Sequence, residues 1–134
     1  MRLVWKHYPL DIHKDAPLAH MASIAAQEQG KFWEYHDKLF IDTRKLKPEN
    51  LKQYAQETGL DMEKFEKALQ DDGKTKIIET DKSEAAAVQV RGTPAFFVNG
   101  RFLGGAKPFK EFEKLINAEL ARLNLPVPQE AKVQ

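Results

Sequence analysis

Apolar residues recur every three or four positions through most of the chain, the spacing that turns one face of an α-helix toward a core. This period predicts five helices between about residues 15 and 89 and a sixth helix after residue 108. Asp15, Pro48 and Asp61 are placed to cap or open three of them. Gly30 and Gly59 are placed to end two. The residues that share one face of each helix are Leu18, Met21, Ala22 and Ala25; Phe32, Tyr35, His36, Leu39 and Phe40; Leu51, Tyr54 and Ala55; Phe65, Ala68 and Leu69; Ile77, Ile78, Asp81, Ala85 and Val88; and Phe109, Phe112, Leu115, Ile116, Leu120 and Leu123.

Two segments carry strand signals instead. Residues 3–5 are apolar and β-prone and precede Pro9, which predicts an opening strand. Residues 96–98 are apolar, and an Asn-Gly pair, the strongest short hairpin signal, connects them to a return strand at 101–103. Because the opening strand has only the distant hairpin as a partner, we expect a non-local, mixed sheet with helices on its faces, in an α/β or α+β fold.

The segment before the hairpin is the main candidate for function. Pro94 enters the first hairpin strand without an N–H for the ladder, and proline is tolerated there only at a strand start, an edge or a bulge. A cis bond to Thr93 would bend the chain and leave the N–H and C=O of Thr93 available for hydrogen bonds to an extended peptide. We predict that Arg91, Gly92, Thr93 and Pro94 form a substrate-binding bend. The alternative is an ordinary proline at the entrance of a strand.

Composition limits the other functions. With 134 residues, 42% hydrophobic and 31% charged, the chain has the balance of one globular domain, and its net charge of +1 does not favour nucleic acid. No apolar run approaches the roughly 18 residues of a membrane helix. Met1 is not followed by the pattern of a signal peptide. We therefore expect neither a nucleic-acid nor a membrane partner.

Few side chains could carry catalysis. The sequence contains no cysteine, so no side chain can become a thiolate. The histidines lack the spacing of metal sites, so we expect neither a metal nor a cofactor. These histidines are His7, His13, His20 and His36. The two serines lie outside a nucleophile elbow. We expect no catalytic residue within this chain.

Three stretches resemble the DsbA-like thiol–disulfide oxidoreductases of the thioredoxin superfamily. They are Val4-Trp5-Lys6-His7-Tyr8-Pro9-Leu10, Gly30-Lys31-Phe32-Trp33, and Gly92-Thr93-Pro94 with the strand, Asn-Gly turn and Gly-Ala-Lys-Pro helix start that follow it. The resemblance extends from about Arg2 to about Leu123. It implies a thioredoxin-like domain at 1–123 with a helical insertion at about 15–89. Residues 124–134 are expected to form a flexible C-terminal tail.

The resemblance also implies what the bend does. In the family, the proline is cis, lies beside a catalytic Cys-x-x-Cys and binds the backbone of an extended peptide or protein substrate. Thr93 would then lie against the reactive sulfur and tune it. A periplasmic or other extracytoplasmic location is implied in the same way.

This chain differs from the family in one decisive way. The first β-α unit of the family, which bears the cysteines, has no counterpart in this chain. In the family that strand lies between the partners that correspond to 2–6 and 95–98, so two strand edges would be unpaired. We expect a fragment, a mis-set start or a truncated chain. We also expect a homodimer formed by strand pairing or segment exchange. The alternative is a rearrangement that places 2–6 directly beside 95–98.

Three classes of function remain open. The first is a DsbA-like thiol–disulfide oxidoreductase whose thiol-bearing segment lies outside this chain, which alone would be inactive. The second is a redox-dead thioredoxin-like module that binds peptides or proteins. The third is a glutathione-dependent isomerase or transferase of the same fold, in which a serine replaces the first cysteine. The sequence leaves undecided whether the chain is an enzyme.

Overall fold

The computed structural model describes residues 1–128, so residues 129–134 of the predicted tail lie outside the described part. The chain divides into two compact units, Met1–Gln89 and Val90–Gln134. We call them the helical unit and the hairpin unit. Within residues 1–128, no helix is long and apolar enough to cross a membrane.

The helical unit contains the five predicted helices. Helix α5 begins at Asp72, because the Asp71 carboxylate accepts a hydrogen bond from the Gly73 N–H at 2.8 Å and caps the helix there. The five helices are α1 (Ala16–Glu28), α2 (Phe32–Ile41), α3 (Pro48–Glu57), α4 (Met62–Ala68) and α5 (Asp72–Ala87).

The predicted helix boundaries have different physical origins. Gly30 and Gly59 follow α1 and α3 with φ of +73° and +72°, the left-handed conformation that glycine adopts without strain. Asp61 caps α4, because its carboxylate accepts a hydrogen bond from the Lys64 N–H at 3.1 Å. Asp15 occupies the N-cap position of α1 as predicted, but its side chain makes no capping hydrogen bond.

The core of the helical unit is built on the alanine face of α1. Ala22, Ala25 and Ala26 are buried there, and their small side chains let the neighbouring helices approach closely. The largest fully buried side chains are Tyr35, Leu51 and Phe65. The Tyr35 hydroxyl donates to the Leu51 carbonyl oxygen at 3.0 Å, which satisfies the one polar atom that this ring buries. Burial raises the pKa of Tyr35 well above its usual range.

In its described residues, 90–128, the hairpin unit contains β1 (Ala95–Val98), β2 (Arg101–Gly104) and α6 (Phe109–Arg122). The two strands pair in antiparallel fashion, with Val98 opposite Arg101 and Ala95 opposite Gly104. Helix α6 packs on one face of this hairpin, where the Phe112 and Phe96 rings meet edge to face with centroids 4.7 Å apart. None of the described apolar side chains in this unit is fully buried.

The predicted opening strand is wrong. Residues 1–10 form no strand, and the sheet of the described chain has two strands, β1 and β2, so the predicted non-local, mixed sheet is also wrong. A strand needs a partner for its backbone, and residues 1–10 instead attach to helices through side chains. Leu3 and Val4 remain 68% and 57% exposed, because no neighbouring strand creates a buried face for them.

Candidate functional site

The predicted substrate-binding residues form a bend directly before β1. The chain bends at residues 92–94, and the Thr93–Pro94 peptide bond is cis. Arg91, Thr93 and Pro94 are exposed, and Gly92 is half-buried. A Cβ added at Gly92 would meet no atom within 4 Å, so the space at this position does not restrict it to glycine. The four residues therefore form one exposed surface.

Pro94 ends the hydrogen-bond ladder of the hairpin. Its carbonyl oxygen accepts a hydrogen bond from the Gly105 N–H at 2.8 Å, but proline has no N–H to return the second bond of the pair. Thr93 precedes this last ladder position. Within residues 1–128, neither its N–H nor its C=O has a hydrogen-bond partner. Thr93 therefore presents one backbone donor and one acceptor to solvent.

The outer edge of β1 continues this line of free backbone groups. Hydrogen-bonded and non-hydrogen-bonded pairs alternate along an antiparallel ladder. Because the Pro94–Gly105 pair is hydrogen-bonded, the Ala95–Gly104 and Phe97–Phe102 pairs are not. The N–H and C=O groups of Ala95 and Phe97 therefore point away from β2, at an edge with no further strand in the described chain.

The face of the hairpin opposite α6 is apolar and open. The Phe97 and Phe102 rings lie 5.2 Å apart, and these residues are 45% and 57% exposed. Exposed aromatic side chains beside an unpaired strand edge are features of a surface that accepts a further β-strand.

A buried carboxylate fixes the hairpin turn to α6. Asn99 and Gly100 have φ of +48° and +83°, as a two-residue type I′ turn requires. The Glu119 side chain accepts hydrogen bonds from Arg122 at 3.0 Å and from Asn99 at 3.5 Å. Arg101 Nε lies 2.6 Å from Glu119 Oε1 as an ion pair rather than a hydrogen bond. The Arg122 hydrogen bond, helped by the Arg101 charge, holds the pKa of Glu119 below its usual value.

The sequence interpretation missed Glu119, although a signal was present. Glu119 lies three residues after Ile116 and four before Leu123, within the apolar stripe of α6. An acid in such a stripe indicates a buried, paired carboxylate. The pairing with Arg101 depends on how the hairpin packs on α6, which the periodicity does not specify.

The histidines do not form a metal site. Within residues 1–128, no group of three or more potential ligands among histidine, cysteine, aspartate and glutamate is close enough to hold a metal ion. Only two of the four histidines approach each other, with the Nδ1 atoms of His7 and His20 separated by 3.0 Å. His13 is exposed, and His36 stacks edge to face on Trp5 with centroids 4.6 Å apart.

A cavity of about 140 Å³ lies beside these aromatic residues in the helical unit. It is lined mainly by apolar side chains of α1 and α2, together with Trp5 and the imidazoles of His20 and His36. The predicted inward-facing aromatic stripe of α2 is correct for Tyr35, which is buried. Phe40 is 59% exposed at the mouth of the cavity.

Comparison with known proteins identifies the fold. A crystal structure of a thioredoxin-like oxidoreductase from Silicibacter pomeroyi superposes with a TM-score of 0.76, over 88% of this chain and 66% of that one. Its sequence is 24% identical, so the similarity concerns the fold. The predicted α/β, thioredoxin-like fold is therefore confirmed, in a helix-rich form with a two-stranded sheet.

Sequence relatives are longer proteins. The Na(+)/H(+) antiporter NhaA 3 of Salinispora tropica is 44% identical over 102 residues, which are 75% of this chain and 16% of that protein. The Na(+)/H(+) antiporter NhaA of Herminiimonas arsenicoxydans is 40% identical over 106 residues, or 79% of this chain and 17% of that protein. The chain thus spans about a sixth of the curated relatives that it matches.

The family assignment rests on most of the chain. The family described as the DSBA-like thioredoxin domain matches residues 2–117, which include both the helical unit and the Thr93–Pro94 bend. This chain therefore belongs to the DSBA-like thioredoxin domain family.

Proposed function

We propose that this chain is the substrate-binding part of a DsbA-like thiol–disulfide oxidoreductase and that a polypeptide segment outside the chain supplies the reactive thiol. The observation that carries the proposal is the exposed backbone of Thr93, which is followed by the open edge of Ala95 and Phe97. An extended peptide can pair with this line of donors and acceptors by strand addition. Membership in the DSBA-like family supports peptide or protein substrates.

The division of labour follows from the composition. Thiol–disulfide exchange requires a thiolate that attacks a disulfide sulfur and expels the other sulfur as a thiolate. This chain has no cysteine, so its own residues bind and orient the substrate backbone but take no part in the thiol–disulfide exchange itself. The Thr93 hydroxyl is free to donate a hydrogen bond to a thiolate brought beside the bend, which would lower the pKa of that thiol.

A location outside the cytoplasm is part of the proposal. Proteins of this family usually act in extracytoplasmic compartments, and disulfides persist in such oxidising surroundings.

The second class, a redox-dead peptide-binding module, uses the same surface and differs only in the absence of a thiol partner. The DNA immediately upstream of the Met1 codon separates the two classes. An in-frame Cys-x-x-Cys segment there supports the oxidoreductase, and its absence supports the binding module.

The third class, a glutathione-dependent enzyme that uses serine, gains no support from the geometry. The Ser23 hydroxyl is buried in α1 and donates to the His20 carbonyl oxygen at 2.8 Å. Ser83 is exposed on α5.

Peptide binding tests the proposal directly. Fluorescence anisotropy with a labelled extended peptide should saturate, and N-methylation of the peptide should weaken binding only at alternate residues. Methyl groups at those residues block hydrogen bonds to β1, whereas methyl groups at the intervening residues point away. Equal effects at every residue, or no saturation, would contradict strand addition. Turnover of insulin with dithiothreitol should remain at the buffer blank.

We also propose that, without such a segment, two copies of the chain pair through the outer edge of β1. The free groups of Ala95 and Phe97 allow an antiparallel pair around a two-fold axis, with Ala95 opposite the second copy's Phe97. Phe97→Lys should shift light scattering toward monomer, because a charge on an edge strand opposes pairing. Ile41→Lys, at a residue 74% exposed in the helical unit, is the matched control and should leave the mass unchanged. A monomeric unsubstituted chain at all concentrations would exclude this dimer.

A further inference from the structure

A cluster of polar contacts ties the opening segment, residues 1–10, to α1 and α5. The Asp81 carboxylate of α5 accepts a hydrogen bond from the His7 backbone N–H at 2.7 Å and from Lys6 Nζ at 2.9 Å. Lys6 also pairs with Glu84 at 2.9 Å. On the other side, His7 Nδ1 lies 3.0 Å from His20 Nδ1 of α1. This cluster of charged and titratable groups has no part in the peptide-binding bend.

The contact between the two imidazoles limits how many protons the pair can hold. At 3.0 Å, one Nδ1 must carry a hydrogen and the other must present its lone pair. One additional proton can bind at the donor ring's Nε2, and the Nδ1 contact then becomes a charge-assisted hydrogen bond. A second proton must occupy the accepting Nδ1. Both Nδ1 atoms would then carry hydrogens and both rings would be positively charged, so the contact would become repulsive.

The surroundings favour the neutral pair. His7 is 4% exposed, and the Phe32 ring of α2 stands edge-on to it with centroids 6.4 Å apart. Burial lowers the pKa of His7, which Lys6 lowers further and Asp81 raises. Burial, followed by the His7 charge, lowers the pKa of His20 to about 4, and Asp81 opposes this. His36 of α2 also lines the cavity that His20 lines.

Release of the segment would change the surface of the helical unit. Trp5, one residue before Lys6, packs against Phe32, Trp33, His36 and Phe40 with ring centroids between 4.6 and 6.4 Å apart. When the segment leaves, Trp5 leaves with it. The aromatic face of α2 and the neighbouring cavity then open to solvent.

We propose that His7 and His20 form an acid-sensitive latch, which holds the opening segment on α1 and α5 and releases it when both imidazoles become protonated.

The direction of the pH dependence follows from the two lowered pKa values. A histidine with a lowered pKa in the closed state stabilises that state fully above its free value of 6.5. This contribution is lost as the pH falls from about 6.5 toward the closed-state value, which is about 4 for His20. Opening takes up as many as two protons in this window. The opening equilibrium should therefore rise between about 10-fold and 100-fold for each pH unit.

The His7 backbone amide reports latch opening directly, since its N–H is bonded to Asp81. Hydrogen exchange of this amide, corrected for intrinsic rate and measured from pH 8 to pH 4, should show a protection factor that is constant above about pH 6.5 and falls below it, with a maximum slope of one to two protons. The Tyr35 amide, bonded to the Lys31 carbonyl in the core, serves as the internal control for global unfolding. Equal slopes at His7 and Tyr35, or a flat profile at His7, would overturn the proposal.

Two variants locate the effect. His20→Gln retains a donor and an acceptor but removes one titrating group, so the slope at His7 should fall to one or less. His13→Gln, at an exposed histidine outside the cluster, should leave the slope unchanged. An unchanged slope in His20→Gln would contradict the latch. If His20→Gln does not fold, nitrogen NMR of the unsubstituted chain decides, because the latch requires the His20 ring to remain neutral at pH 6 and a charged His20 ring at that pH would contradict it.

Discussion

The two units of this chain solve the problem of backbone hydrogen bonding in different ways. A helix satisfies its backbone within itself, so five short helices can close a core around Ala22, Tyr35 and Phe65. A strand depends on its neighbours, and the hairpin unit leaves the outer edge of β1 unpaired and the Phe97–Phe102 face open. Every fully buried apolar side chain in residues 1–128 belongs to the helical unit. The open unit is also the one that carries the candidate site.

This contrast supports the proposed binding of a peptide at the bend. A covered sheet edge offers no donors or acceptors, whereas the edge that follows Thr93 offers them at alternate residues. The hairpin unit still keeps its shape, because Glu119 joins α6 to Asn99 in the turn and to Arg101 directly after it. The buried carboxylate thus replaces part of the apolar packing that this unit lacks.

The largest difference between the units should appear in phenylalanine truncations. Phe65→Ala should cost about 3–5 kcal/mol in the free energy of unfolding, because the ring is fully buried in the helical core. Phe96→Ala removes a half-buried ring and should cost about 1 kcal/mol. Urea denaturation monitored by circular dichroism measures both costs. Equal costs would show that the hairpin unit has a closed core after all.

Glycine substitutions should show a smaller difference in lost stability between the two units. Gly59→Ala places a Cβ at φ +72° and 3.2 Å from Lys31 Nζ, so we expect a loss of about 1 kcal/mol. Gly92→Ala is the matched substitution in the bend and should cost only a few tenths of a kcal/mol, because its added Cβ meets nothing within 4 Å. Thermal unfolding of the two variants provides the comparison. A larger loss for Gly92→Ala would reveal a packing requirement at the bend.

Acid should loosen the hairpin unit by protonating Glu119. The folded pKa of Glu119 lies below its usual 4.5, so its ion pairs stabilise the unit fully above about pH 4.5 and are lost as the pH falls through the folded value. Exchange protection of the Val98 and Arg101 amides should decline in that range. Glu119→Gln should lower this protection at neutral pH and remove its acid dependence.

Glu111→Gln changes an acid in the first turn of α6 that is exposed and should leave the protection unchanged. An acid dependence that persists in Glu119→Gln would assign the effect to another group.

The sequence predicted the elements better than it predicted their partners. The helical period identified all six helices, and the Asn-Gly pair identified the hairpin, because both signals are local. Residues 3–5 carried an equally local strand signal, yet within residues 1–128 no strand pairs with them, and His7 contacts helices. Strand formation depends on a neighbour, which propensity does not supply.

The same limit applies to the sites. The bend at Arg91–Pro94 was predictable because proline and glycine constrain the backbone locally. The His7–His20 contact joins residues whose approach depends on how the opening segment lies on α1. Glu119 lies within a recognisable apolar stripe, but its partners come from the hairpin. Tertiary packing therefore determines which titratable groups meet.

Hydrogen exchange along β1 tests the open edge most directly. In dilute, peptide-free protein, the Phe96 and Val98 amides should be protected, because they pair with Leu103 and Arg101 of β2. The Ala95 and Phe97 amides should exchange at nearly their intrinsic rates and become protected when an extended peptide is added. Equal protection of all four amides before peptide is added would show that the edge is already covered and would contradict the proposed binding surface.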